Sequence, residues 1–269
     1  MSFTLAPLTA IIIACLAGGA LSVLAAAGTL ALHSRWISPL VSFAVGALLG
    51  AVFLELLPHA LEHGATQRVM LTVLIGLLLF FLLEKLVLWR HSHLEAESLA
   101  EGGSLIATAD APPHSHGFDS GRSGLMILIG NSVHNFCDGI VIAATFIADF
   151  TLGTTTALAI VAHAIPQQVG DFAVLLHSGY TRRRAFAYNL ATGAATMLGG
   201  LAGYAALASM QEVLPTVLAL AAASLLYVAV ADLIPSLHRH PSPGDTARQL
   251  ALIGVGIAII AVAHVVLEH

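Results

Sequence analysis

Charge is what this sequence has least of. Only 9% of its residues are Asp, Glu, Lys or Arg, against roughly a quarter in a soluble globular domain, so a chain folded wholly in water is excluded. Ten basic residues against fifteen acidic ones give a net charge of −5, and no basic tract is present to bind nucleic acid. Cysteine is nearly absent: Cys15 and Cys137 both sit inside apolar runs, which rules out a disulfide framework. No basic residue precedes Arg35; without the basic start of a signal peptide, residues 5–32 read as a retained span. What remains is 58% hydrophobic, the composition of a chain that crosses a bilayer many times.

A span needs about 20 apolar residues, and eight segments qualify: about 5–32, 37–62, 69–90, 123–148, 152–178, 184–208, 212–237 and 247–267. The links between them are short, so residues 1–269 read as a single all-α transmembrane domain. The exception is 91–121, where His91, His93, His114 and His116 flank a Gly, Ser and Ala-rich run with Pro112-Pro113; it reads as a flexible loop whose histidines capture metal weakly. With both termini outside, the inner connections contain or adjoin nine of the ten basic residues, all but Arg68. The excess of Lys and Arg therefore puts the long loop in the cytoplasm.

Polar residues inside such spans are costly and point to function. In the fourth segment stand His134-Asn135-Phe136-Cys137-Asp138-Gly139, and in the fifth His163-Ala164-Ile165-Pro166-Gln167-Gln168-Val169-Gly170-Asp171. Residues four apart share a helix face, so His134 and Asp138 point one way, as do His163, Gln167 and Asp171. Counted from opposite ends at 1.5 Å per residue, His134 lies about 18 Å deep and His163 about 16 Å deep, the same level near the bilayer centre. Imidazole with carboxylate and amide oxygen suits zinc, with iron, manganese, cobalt or cadmium as alternatives. The other reading is a hydrogen-bonded cluster that locks two helices together. Gln167 fits either a weak ligand or a hydrogen-bonding neighbour, and Asn135, 100° round from His134, serves an adjacent position.

Further polar residues extend the line. Asp171 and His177 continue the fifth-segment stripe inward as an exit. Glu55, His59, Glu62 and His63 recur at helical spacing on the second segment as an entrance, which His264 could join. Glu55-Leu56-Leu57-Pro58 is echoed by Asp232-Leu233-Ile234-Pro235 at mirrored depth. That is the signature of an inverted repeat of helices 1–3 and 6–8 around a central pair, and it adds Asp232 to the exit.

The motifs of the fourth and fifth segments resemble those of the ZIP (Zrt/Irt-like) metal transporters, in the branch whose helices read H-N-F-x-D-G and H-E-x-P-H/Q-E-x-G-D-F-A. The resemblance implies a 3+2+3 bundle of eight helices, a homodimer, and uptake of divalent metal, zinc first, into the cytoplasm with no organic cofactor. It implies one metal position at His134, Asp138, His163 and Gln167, and a second at Asn135, Asp138, Ala164 and Gln167. Here the chain departs from the pattern: Ala164 and Gln168 stand where the family carries glutamate. Alanine cannot ligate, so a mononuclear site is expected. The rivals are a transport-impaired relative that binds or senses metal, and an intramembrane metal-dependent hydrolase, which would need an acid or base where Ala164 and Gln168 stand. Short loops fit a bacterial inner membrane.

Overall fold

The computed structural model describes residues 5–28, 37–102, 122–238 and 243–268. They form eight helical rods, with no strand among the described residues. In chain order these are α1 (Leu5–Gly28), α2 (Ile37–His63), α3 (Thr66–Gly102), α4 (Arg122–Ala148), α5 (Phe150–His177), α6 (Arg182–Leu207), α7 (Gln211–Leu237) and α8 (Pro243–Glu268). Six of them, α2, α3 and α5 to α8, are long and apolar enough to cross a membrane. In α1 the described apolar stretch is Ala6–Leu21. In α4 the run of Asn131, His134, Asn135 and Asp138 dilutes an otherwise apolar helix.

One boundary needs correction. The segment expected to become a loop at His91 stays helical to Gly102. Hydropathy falls after Arg90, but Leu94, Glu95, Ala96, Glu97, Leu99 and Ala100 are strong helix formers. His91 and His93 thus lie on helical backbone, with side chains outside the described set. His114 and His116 fall outside the described residues altogether.

Of the six spans, those of α2, α5 and α7 are the most enclosed, while α3 and α8 sit at the periphery. The closest pairing joins α4 to α6. It needs glycine: a Cβ on Gly139 would collide with the backbone of Thr196 and Gly200, and one on Gly199 with the carbonyl of Phe136. Backbone-to-backbone approach of this kind is how membrane helices gain close packing.

Both α2 and α7 are interrupted by a π-helical turn, Ala51–Leu56 and Val228–Leu233. Each turn is followed by a proline at the start of the next α-helical piece, Pro58 and Pro235. Proline lacks the N–H that would continue the α-helical ladder, and the wider turn absorbs the mismatch. Glu55 and Asp232 occupy equivalent places in these turns. The helix pairings share this pattern, since α1–α5 has its counterpart in α6–α4, and α2–α8 in α7–α3.

Candidate metal centre

His134 and Asp138 stand one turn apart on α4, and α5 brings His163 against them. His163 Nε2 lies 3.3 Å from Asp138 Oδ2, His134 Nε2 lies 3.4 Å from the same oxygen, and the two Nε2 atoms are 3.3 Å apart. The three atoms form a nearly equilateral triangle. Zinc bonds of about 2.0–2.1 Å at the tetrahedral angle separate neighbouring ligand atoms by roughly 3.3–3.4 Å, so the triangle has the edge length of one face of a zinc tetrahedron.

The groups are oriented as well as spaced. His163 Nδ1 is 3.4 Å from the carbonyl oxygen of Ala159. With a proton on Nδ1 donating there, Nε2 keeps its lone pair for a cation. His163 and Asp138 side chains are 1% and 2% exposed, and His134 is 19% exposed. Asp138 Oδ1 and Oδ2 are buried without a hydrogen-bond donor in line, and so is Gln167 Oε1. Buried oxygens are rarely left so; a cation is the partner that two imidazole nitrogens cannot replace. His134, Asp138 and His163 are the metal-capable cluster found among the described residues.

Asn135 and Gln168 face the other way, towards α6. Asn135 Nδ2 donates to the Thr192 carbonyl at 3.2 Å. Gln168 Nε2 donates to Thr192 Oγ1 at 3.2 Å, while Asn189 Nδ2 donates to the Gln168 carbonyl at 3.0 Å. A small cavity beside Asp138 is lined by Asn135, Ala164 and Gln168, with Gly18 and Gly19 of α1 and Gly193 of α6 as its far wall. The place expected for a second ion therefore holds a polar tie between helices and a methyl group. Thr192 and Asn189 escaped the sequence reading, because nothing in α6 itself marks which of its polar residues meets α5.

Glu55 of α2 is joined to His264 of α8: His264 Nδ1 lies 3.0 Å from Glu55 Oε2. His59 stacks on His63 with ring centroids 4.5 Å apart, and Glu62 is exposed beside them. Asp171 is buried on α5. His177 closes the same helix with its side chain outside the described set. Asp232 is exposed on α7, and next to it in the bundle the Tyr227 hydroxyl donates to Glu84 of α3.

Comparison with known proteins follows the same lines. The family model described as ZIP zinc transporter matches residues 2–117 and 90–264. The chain is 31% identical over 268 residues to the zinc transporter ZIP13 of Homo sapiens, covering 83% of this chain and 70% of that protein. It is 32% identical over 241 residues to ZIP13 of Pongo abelii, covering 83% and 66%. It is 33% identical over 283 residues to the zinc transporter ZIP5 of Homo sapiens, covering 85% of this chain but 52% of that larger protein. The relatives are transporters by name, not enzymes.

Proposed function

Since the chain belongs to the ZIP zinc transporter family, we propose that it carries zinc across a membrane into the cytoplasm through a single metal position at His134, Asp138 and His163. Gln167 supplies a fourth, neutral oxygen. The observation that carries this reading is the triangle of ligand atoms, with edges of 3.3, 3.3 and 3.4 Å, set in the middle of an apolar bundle. A structural hydrogen-bonded cluster would align its donors with the Asp138 oxygens, which these imidazoles do not do.

The site is mononuclear. Ala164 offers no donor atom, and Gln168 is committed to Thr192. Asn135 belongs to the margin of the site through its remaining amide oxygen. One negative charge against a divalent ion makes for modest affinity and easy release, as transport requires. The same two residues weigh against hydrolysis, since neither can serve as a general acid or base.

Residues 1–269 act as one transmembrane unit with both termini outside and α1–α3 repeated, inverted, as α6–α8. The paired π-turns of α2 and α7 and the exchange of helix pairings support that repeat, because both follow if one half is the other turned over. Zinc enters past Glu55, His59, Glu62, His63 and His264 and leaves past Asp171, His177 and Asp232. His91, His93, His114 and His116 capture metal weakly on the cytoplasmic side. The peripheral faces of α3 and α8 meet lipid or the second subunit of a homodimer, in a membrane such as the bacterial inner membrane. Iron, manganese, cobalt and cadmium are the competing substrates that such ligands admit.

Zinc accumulation by cells producing the chain, against cells producing His163→Ala, tests this. Uptake that depends on His163 is expected; equal uptake by both overturns the assignment.

A further inference from the structure

The stripes on α4 and α5 run in opposite directions, so each step back along one matches a step forward along the other. Asp138 faces His163 at 3.3 Å. One step on, the register sets His134 level with Gln167. A further step, of about 5–6 Å, pairs Asn131 with Asp171. The structure keeps this register, with the Asn131 side chain beside the Asp171 carboxyl. Asp171 is only 7% exposed, yet its Oδ2 has no hydrogen-bond partner, and buried Gln167 Oε1 likewise has none. Leaving buried oxygens of this kind without donors is unfavourable, and these two follow one another along a single face of α5. Immediately beyond, Leu128, Phe172, Leu175 and Ala185 close into an apolar cluster.

From these placements we infer that Asn131, Gln167 and Asp171 form a second cation site, built only of oxygen atoms, between the two histidines and that apolar cluster. Its chemistry differs from the first. Imidazole nitrogen favours zinc, whereas carboxylate and amide oxygens suit hard divalent ions such as manganese and hold zinc less tightly. Gln167 lies between the two and can turn its oxygen to either. An ion leaving the histidines thus finds a weaker, charged resting place before the apolar barrier, which it passes when the helices move. The inference rests on the transport reading only for the direction of travel; the site itself stands on the register, the burial and the orphaned oxygens.

Manganese(II) alone is the probe, followed by electron paramagnetic resonance on the full chain in detergent. In the variant His134→Ala/His163→Ala, one weakly bound Mn2+ per chain is expected to persist, and adding Asp171→Asn is expected to abolish it. Adding Asn131→Asp to the double-alanine variant supplies a second carboxylate and should tighten Mn2+ binding by about tenfold or more. This gain does not depend on a variant that merely loses its fold. Absence of Mn2+ binding in the double-alanine variant, together with no gain from Asn131→Asp, overturns the second site. Failure of the first site is read separately, as cobalt(II) absorption in the wild type that is indifferent to His163→Ala.

Discussion

Ala164→Glu puts a carboxylate beside Asp138, in the cavity bounded by Asn135, Gln168 and the glycines of α1 and α6. With an effective dielectric of about 20 and a separation of about 4 Å, its attraction for a divalent ion is roughly 8 kcal/mol, and holding it ionised beside Asp138 offsets about 4 kcal/mol of that. The cavity offers only about 10 Å³, and crowding a longer side chain into it costs roughly 1–3 kcal/mol. If all of that cost fell on the loaded state, about 1 kcal/mol would remain, so zinc affinity should rise by at least about fivefold. The stoichiometry should move from one zinc towards two. Competition against a chromophoric chelator in detergent measures both quantities. Zinc influx into liposomes should meanwhile slow, because a tighter site releases later. Unchanged affinity and unchanged stoichiometry would refute the claim that Ala164 is what removes the second ion.

Three further outcomes follow from the same geometry. Gly139→Ala forces a methyl group into the Thr196 and Gly200 backbone and should lose roughly 1–3 kcal/mol of stability; Gly254→Ala, with nothing within 4 Å of its Cβ, should lose none, and equal thermal melts would contradict the close approach of α4 and α6. Glu55→Gln weakens the contact with His264 and should raise the KM for zinc influx while sparing the maximal rate; an equal fall in rate at saturating zinc would place Glu55 at the transport step and not at the entrance. Zinc at a hundred times its Kd should stabilise the wild type by about 2.7 kcal/mol, and chelation should remove that gain; His163→Ala should show no such response.

Most of the rods were legible because one signal dominates them. Segments expected at 37–62, 152–178 and 212–237 appear as Ile37–His63, Phe150–His177 and Gln211–Leu237, since apolar run length sets the span. The same signal failed at α3, where helix propensity carries the backbone past Arg90 after hydropathy has fallen. The π-turns of α2 and α7 were hidden, although Pro58 and Pro235 mark the fault that each turn absorbs. At the site, spacing by four put His134 and Asp138 on one face, matched depth set His163 level with them, and the three side chains do meet. Asn131 was missed despite standing three residues before His134 on the same face, because a lone amide in a helix attracts little notice until the facing Asp171 is known. The Glu55–His264 contact joins residues 209 positions apart, and no local pattern reports which of several histidines is the partner. Gln168 showed its lost charge in the sequence, but its bond to Thr192 depends on how α6 lies across α5.

The most direct measurement is zinc influx into liposomes reconstituted with the full chain, wild type against Asp138→Asn. The substitution keeps the shape of the side chain and removes the single negative charge of the His134–Asp138–His163 position. Influx by the wild type that collapses in Asp138→Asn, with the variant still folded, is the expected result. Influx of equal rate in both would contradict transport through this position.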